Sequence, residues 1–329
     1  MLFPNLLASD ADRQAWQTNC QAFSDYVSDC VGCLVTGYTH ALEAANRSGQ
    51  EYHAVPVLLT RHVVESLDAV SVLVAQGCGH PCQGPLRSAL EATMGVLYIL
   101  QADTEHRAFA YQVAHAHRRI KLYENGDPTT DAGKEWRKVL STDPGGDILS
   151  LLPPINYKKS IANLRSMLAK PQFVPIEAEW QLLREFNVDP VDPTKKSKKK
   201  RKSDPEWYAL FGGPSNVRDL AIKVGHPAMY EFLYRQWSND VHAGNAFDAV
   251  GMKGTESVIR PVRHPEILQT CAVLAATFSL LLTRTVLGFY APEALSDFST
   301  HYKDVIHLRQ QELMEKQVFN APWKDTLPR

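Results

Sequence analysis

The helical character of this chain is clearest in the stretch Pro85-Leu-Arg-Ser-Ala-Leu-Glu-Ala-Thr-Met-Gly-Val-Leu-Tyr-Ile-Leu100. Its apolar residues recur at intervals of three and four, which is the spacing of one face of an α-helix. These residues are Leu86, Leu90, Met94, Leu97 and Leu100. Proline is tolerated in a first helical turn because its missing N–H would have no partner there. The stretch therefore predicts a helix that begins at Pro85 and buries one face.

The same spacing predicts three more long helices around this stretch. One is expected over 10–46, a second over 52–75 with Pro56 in its opening turn, and a fourth over 104–123. The core face of the first helix is predicted to consist of Trp16, Phe23, Val27, Val31, Leu34 and Tyr38. Gly77 to Gly84 breaks the pattern, and Asn125-Gly126 closes the fourth helix. Four helices with short links indicate an up-down bundle.

The rest of the chain predicts an irregular middle and a helical end. Prolines and glycines interrupt the pattern over 127–193, and 188–205 has few apolar residues, so we expect a disordered loop there. Helices are expected again over 227–243, 265–289 and 297–317. We predict an all-α helical bundle, organised as one compact unit. Its parts would be an N-terminal bundle (1–126), an irregular helical insertion ending in a lysine-rich loop (127–205), and C-terminal helices (206–329).

Basic charge is concentrated in the lysine-rich loop. Seven of the 35 basic residues lie there, which leaves 28 against 36 acidic residues in the remaining chain. The seven are Lys195, Lys196, Lys198, Lys199, Lys200, Arg201 and Lys202. Such a run can neutralise phosphates in a sequence-independent way, or it can be a solvated linker. Because the body is acidic, a wholly basic nucleic-acid coat is excluded.

Six cysteines are few for 329 residues, and the first seven residues do not resemble a secretory signal. We therefore expect a reducing, cytoplasmic compartment. The longest largely apolar stretch, Cys271 to Leu282, is shorter than the ~20 residues that a bilayer requires, so it predicts a buried helix and no membrane association.

An arginine and a histidine lie seven residues apart in Arg235-Gln-Trp-Ser-Asn-Asp-Val-His242. In a helix, seven residues nearly complete two turns, so both side chains would leave one face about 10 Å apart. A permanently charged guanidinium and a titratable imidazole are suited to metal-free cleavage of a phosphodiester. Ser238 and Asp240 would add polar groups beside them. The alternative is structural, with Arg235 paired to Glu231 four residues earlier.

Further charged residues share helix faces with apolar neighbours. They are Arg61, Glu65 and Asp68 on the second helix, and Arg87 and Glu91 on the third. We expect cross-helix pairs, such as Arg61 with Glu91 and Arg87 with Glu65, because unpaired buried charges are costly. Such a network could be structural or could support a polar catalytic pocket, and an exposed solvated face is the third interpretation.

The cysteine pairs Cys30-Val-Gly-Cys33 and Cys78-Gly-His-Pro-Cys82 have spacings that structural zinc sites also use. The first pair lies in an apolar helical pattern, which favours small buried hydrophobic residues over metal ligands. No glycine-rich phosphate loop, nucleophile elbow or paired metal-binding helix motif is present, so we expect no cofactor and no metal.

Three segments resemble a bacterial family of uncharacterised helical proteins with a domain of unknown function. They are Arg61-x-x-x-Glu65-x-x-Asp68, Leu86-Arg-Ser-Ala-Leu-Glu91, and Tyr234-Arg-Gln-Trp-Ser-Asn-Asp-Val-His-Ala-Gly244. The Arg-x6-His element is also similar to the signature of the HEPN superfamily, helical bundles found in toxin-antitoxin, abortive-infection and CRISPR-associated ribonucleases. Gln236 departs from that pattern, since asparagine, aspartate or histidine commonly follows the arginine there.

The HEPN resemblance implies that Arg235 and His242 cut single-stranded RNA without metal, in a composite site formed by two copies of the chain. The expected function is therefore a dimeric ribonuclease of defence or growth arrest, with RNA and a protein partner such as an antitoxin. The alternative is a non-catalytic nucleotide- or partner-binding scaffold subunit of a defence complex.

Overall fold

Helices occupy nearly the positions that apolar spacing predicts. The computed structural model describes residues 10–142, 155–186, 204–235, 237, 250–253, 256–259, 262–263, 265 and 267–315. Its α-helices are α1 (Asp10–Ser48), α2 (Ala54–Ala75), α3 (Gln83–Gln101), α4 (Thr104–Gly126), α5 (Asp131–Ser141), α6 (Tyr157–Leu168), α7 (Val174–Phe186), α8 (Val217–Lys223), α9 (Pro227–Met229), α10 (Leu268–Tyr290), α11 (Leu295–His301) and α12 (Leu308–Glu315). Two π-helices, π1 (Tyr230–Tyr234) and π2 (Tyr302–His307), follow α9 and α11. The all-α prediction is confirmed.

The break between the second and third helices is a glycine cap. Gly77 has φ +72°, and the N–H groups of Gly77 and Cys78 donate to Val74 O and Leu73 O at 3.0 and 2.9 Å. This double hydrogen bond is the Schellman arrangement that ends many helices, and it needs a left-handed residue. A Cβ at Gly77 would also overlap the Trp16 ring. The short 3₁₀ helix His80–Cys82 then leads into α3, which begins at Gln83, two residues before the predicted start.

The chain divides into two compact units. The bundle unit consists of Met1–Ala102 and Ala221–Arg329, and the insert unit consists of Asp103–Leu220. The sequence predicted divisions after residues 126 and 205 instead. These names are used below for the two units.

The bundle unit packs α1, α2, α3 and α10 around one core. The fourth helix of this bundle is thus α10, whereas the sequence predicted α4. Buried residues surround much of α10, among them Cys271, Ala275, Phe278, Leu282 and Val286. A helix that is apolar over so wide an arc needs neighbours on several sides. Helix α10 contacts α1, α2 and α3, and α4 contacts α5, α6 and α7.

Within the part of the chain that the structure describes, α10 is the one helix long and apolar enough to cross a membrane by length and composition. It packs against α1, α2 and α3, as expected of the predicted buried helix. The predicted core face of α1 is also present: Phe23, Val27, Val31 and Leu34 are buried, and Trp16 and Tyr38 are half-buried.

The insert unit is more regular than the sequence predicted. Helices α5, α6 and α7 lie in the segment where interruptions were expected, and α4 contacts all three. Pro171 lies in the turn before α7, and Pro175 lies in its first turn, where proline is tolerated. Phe109 of α4 packs against Phe173 with ring centroids 5.0 Å apart. The lysine-rich loop predicted to be disordered lies outside the described residues.

A short hairpin was not predicted. Strand β1 (Val250–Lys253) pairs antiparallel with β2 (Glu256–Ile259), and Val250 lies opposite Ile259. Four residues per strand are too few to produce a recognisable alternating pattern. The predicted C-terminal helix is present as α11, π2 and α12, which run from Leu295 to Glu315.

Candidate functional site

The arginine of the predicted Arg-x6-His element lies at the end of a π-helix. We call residues 227–235, which comprise α9, π1 and Arg235, the motif segment. The Arg235 side chain is 67% exposed, and its Nη1 donates to Glu231 Oε2 at 3.0 Å. This is the local pair that the structural alternative predicted. An exposed pair of this kind contributes only ~0.3–0.5 kcal/mol, so it does not fix the guanidinium in place.

The other predicted catalytic residues lie outside the described residues. These are Ser238, Asp240 and His242. The expected separation of about 10 Å between Arg235 and His242 therefore stays a prediction. The seven basic residues over 195–202 also lie outside the described residues, so their predicted role in nucleic-acid binding stays a prediction. The residues on either side of the loop are described. Arg184 Nε and Asp204 Oδ1, on the two described sides, lie 3.5 Å apart.

Arg87 attaches the motif segment to α3. Its Nη2 donates to the Tyr234 hydroxyl at 3.0 Å, and its guanidinium lies over the Tyr234 ring, 4.6 Å from the centroid. Its Nε donates to Glu91 Oε1 at 3.1 Å. Burial alone would lower the pKa of Arg87, but the hydrogen bonds with Tyr234 and Glu91 offset this and raise it. The guanidinium is therefore a permanent cation that contacts both the ring and the hydroxyl of Tyr234.

Tyr234 is held on its other side by Tyr230. Their rings stack with centroids 5.2 Å apart and planes 19° apart. Burial and the nearby Glu91 carboxylate raise the pKa of Tyr234, so its hydroxyl stays protonated at neutral pH. A π-helical turn is rare and often lies at a functional site. Here Tyr230 begins the π-helix, Tyr234 ends it, and Arg235 follows it directly.

The predicted cross-helix ion pairs are wrong. Arg61 Nε donates to Glu65 Oε1 at 2.9 Å on α2, and Arg87 pairs with Glu91 on α3, so each arginine has a partner on its own helix. Arg61 and Glu65 are both more than half exposed, and Asp68 is exposed too. The α2 charges thus form the solvated face that was the third interpretation. Spacing of four residues satisfies the arginine locally, and α2 buries its Val63, Leu67 and Val70 side instead.

The contact between Arg87 and Tyr234 was not predicted from the sequence, because 147 residues separate the two. The available signal was weak: Tyr234 directly precedes Arg235, and Arg87 lies among apolar neighbours. Nothing in the sequence indicates that these two segments meet.

A second polar site lies in the insert unit. It is a cleft of about 840 Å³ between α4, α6 and α7, which we call the insert cleft. Its polar lining includes His117, Lys121, Glu124, Arg165, Glu177, Gln181, Arg184 and Asp204, with Trp180 among them. Sequence analysis missed this site. The signal that could have indicated it is the arrangement of Glu177, Trp180, Gln181 and Arg184 at intervals of three and four on α7.

A histidine and a carboxylate form the base of the insert cleft. His117 Nε2 donates to Glu177 Oε2 at 2.7 Å, and Gln181 Nε2 donates to Glu177 Oε1 at 2.8 Å. The His117 ring stacks on Trp180 at 3.6 Å with planes 3° apart. Burial would raise the pKa of Glu177, but these two hydrogen bonds lower it. The carboxylate is therefore ionised and already satisfied at both oxygens.

The cysteines form no metal site among the described residues, where no three histidine, cysteine or acidic side chains converge. Five of the six cysteines are buried, and Cys78 is half-buried. Burial raises the pKa of Cys20 and of Cys30 to about 12. Such thiols are protonated and apolar in behaviour, which supports the interpretation as small hydrophobic residues.

Comparison with known proteins gives a family. The sequence model of a family of unknown function, DUF5677, matches residues 53–254, somewhat more than half of the chain. The chain belongs to this family. The match spans α2, α3, the insert unit, the motif segment and the position of His242, so the DUF5677 region contains both candidate sites. No curated protein and no solved structure matches the chain.

Proposed function

We propose that this protein is an HEPN-like, metal-independent endoribonuclease that cuts single-stranded RNA in defence or growth arrest. Arg235 and His242 act together in a homodimer, and Ser238 and Asp240 orient them. The products carry 2′,3′-cyclic phosphate ends. The HEPN resemblance supplies this chemistry, and the observation below supports it.

The supporting observation is that Tyr234 is held while its neighbour Arg235 is exposed. Arg87 binds Tyr234 at 3.0 Å, whereas the Arg235 side chain is 67% exposed and, among the described residues, is paired with Glu231. The backbone of the motif segment is therefore anchored immediately beside an accessible guanidinium. Anchoring lowers the entropic cost of presenting a cation to phosphate.

The chemical step is an in-line attack by the ribose 2′-hydroxyl on the adjacent phosphorus. One His242 accepts the hydroxyl proton as the O2′–P bond forms, the P–O5′ bond breaks, and His242 of the second copy protonates the departing O5′. Arg235 stabilises the charge on the phosphate oxygens. Single-stranded RNA is the substrate because this attack needs a free 2′-hydroxyl and a backbone that can adopt the in-line geometry.

The test is cleavage of labelled total RNA and transfer RNA in the presence of a chelator. Wild type and His242→Ala are compared after circular dichroism shows that both are folded. We expect metal-independent cutting that is lost in the variant, with cyclic phosphate ends. As a matched control, Lys134→Ala removes an exposed cation that is paired on its own helix with Asp131, and it should cut like wild type. Products with 3′-hydroxyl ends would contradict the mechanism.

The second candidate function is a non-catalytic nucleotide- or partner-binding scaffold subunit of a defence complex. The pair between Arg235 and Glu231 favours it, because that pair accounts for the arginine without any ligand. If neither wild type nor His242→Ala cuts RNA while both are folded, the scaffold function replaces the ribonuclease.

The basic loop is proposed to tether RNA. Replacing its seven basic residues should weaken RNA binding and reduce the dependence of binding on salt, because each phosphate contact releases counterions. Cleavage at saturating RNA should survive. Unchanged binding would show that the loop is a linker.

A further inference from the structure

The insert cleft has the size of a small-molecule site. Its volume of about 840 Å³ lies in the range of ~300–1,000 Å³ that ligand pockets occupy. Its apolar wall consists of Ile120, Leu168 and Val174. Its polar lining comes from α4, α6 and α7. All of these residues belong to the insert unit, so the cleft is complete within that unit.

The base of the cleft is rigid and its carboxylate is engaged. Glu177 accepts hydrogen bonds from His117 and Gln181, and His117 is stacked on Trp180. Trp180 is 1% exposed, and its Nε1 has no hydrogen-bond partner among the described residues. Buried polar groups without partners are rare and often mark functional sites. Both oxygens of Glu177 are occupied by these hydrogen bonds, but the carboxylate keeps its negative charge, and Arg184 is near enough to help lower its pKa.

The rim of the cleft carries three exposed cations. The side chains of Lys121, Arg165 and Arg184 are 67%, 64% and 51% exposed. Asp204 alone faces two of them: Lys121 Nζ lies 3.9 Å and Arg184 Nε 3.5 Å from its carboxylate oxygens. Glu124 pairs with Arg165 at 2.8 Å. The three cations therefore face three carboxylates of the lining, Glu124, Asp204 and the deeper Glu177, and both pairs to Asp204 are long and easily displaced.

Arg184 is the cation that packs against the base of the cleft. Its guanidinium lies over the Trp180 ring, 5.2 Å from the centroid, which restrains it against a buried side chain. The edge of a planar guanidinium can donate two parallel hydrogen bonds to phosphate. Lys121 and Arg165 add charge without demanding a fixed geometry.

We propose that the insert cleft binds a small phosphomonoester, up to the size of a nucleotide, with its phosphate at Arg184, Lys121 and Arg165 and its organic part against the apolar wall. The organic part lies beside His117, Gln181 and Asn125, whose polar groups face heteroatoms of the ligand. This site is independent of Arg235 and of RNA cleavage.

The test is calorimetric titration of the full chain with adenosine 5′-monophosphate, glucose 6-phosphate, inorganic phosphate and uncharged adenosine. We expect at least one organic phosphate to bind and adenosine to bind at least tenfold more weakly than its monophosphate. Arg184→Gln and Lys121→Gln should each weaken that binding about tenfold or more. Lys134→Gln, an exposed cation of α5 that does not line the cleft, should leave it unchanged.

Several results would overturn the proposal. They are no binding of any organic phosphate at millimolar concentration, binding of inorganic phosphate only, or affinity unchanged in the cation variants. A single-stranded RNA oligonucleotide that binds more tightly than every small phosphate, and loses this on Arg184→Gln, would also overturn it and make the cleft an RNA surface. If Arg184→Gln does not fold, Arg165→Gln replaces it. The Arg165 side chain is 64% exposed, so its replacement should disturb the packing of the unit little.

Discussion

The motif segment and the insert cleft hold their charged residues in opposite ways. Arg235 is exposed and paired with a residue four positions away, so its placement depends on one helical turn. His117 and Glu177 are 12% and 23% exposed and come from helices 60 residues apart, so their placement depends on the packing of α4 against α7. The first arrangement can be read from spacing, and the second cannot. It also follows that replacing Arg235 should affect activity alone, whereas changes at the cleft base should affect folding.

The largest expected effect on stability is at the cleft base. Trp180→Ala removes a fully buried ring that stacks on His117 and should lower the free energy of unfolding by ~3–5 kcal/mol. Urea unfolding followed by circular dichroism measures this. Leu182→Ala, on the same helix but 45% exposed, should cost less than ~1 kcal/mol. Equal losses in the two variants would show that the cleft base is no more rigid than the surface of α7.

The corresponding change at the motif segment should separate activity from stability. Arg235→Ala should lower kcat for RNA cleavage by ~10²–10³-fold, because it removes a donor to the charge of the transition state. Its free energy of unfolding should change by less than ~0.5 kcal/mol, because the pair with Glu231 is exposed. Single-turnover cleavage and urea unfolding measure the two quantities. A variant that loses stability and keeps activity would reverse the contrast between the regions.

A smaller effect is expected where the motif segment is anchored. Tyr234→Phe removes the hydrogen bond from Arg87 but keeps the ring under the guanidinium, and it should cost ~1 kcal/mol of stability. Because Tyr234 positions Arg235 and touches no substrate, kcat should fall a few-fold while KM stays unchanged. Tyr230→Phe keeps the stacked ring and is the matched control, with cleavage near that of wild type. A rise in KM in Tyr234→Phe would mean that its hydroxyl contacts RNA directly.

The smallest effect is the pH dependence of the cleft base. The pKa of Glu177 is lowered in the folded protein, so its contribution to stability is fully present above its ordinary value of 4.5 and is lost as pH falls through the lower folded value. Glu177→Gln should therefore show a shallower loss of stability than wild type as pH falls from 5 to 3. Urea midpoints at several pH values measure the difference. Parallel curves for the two proteins would exclude Glu177 as the cause.

The helices could be predicted because they are local. The bounds of α1, α2 and α4 follow from apolar spacing, from Pro56 and from glycines such as Gly77, whose left-handed φ ends α2. The exposed pair between Glu231 and Arg235 was predictable for the same reason. The cross-helix pairs failed because Arg61 and Arg87 find carboxylates on their own helices, which spacing alone already allowed.

The sequence by itself determined the helices of the bundle core, where α2 ends, and that α10 would be buried, since hydrogen bonds within a turn and the cost of exposing apolar faces are properties of a segment. Only the tertiary structure decided that α10 replaces α4 in the bundle, that Arg87 holds Tyr234, and that His117 meets Glu177. The physical reason is that each of these contacts joins segments far apart in the chain. Which of many apolar faces pack against each other depends on the packing of the whole core.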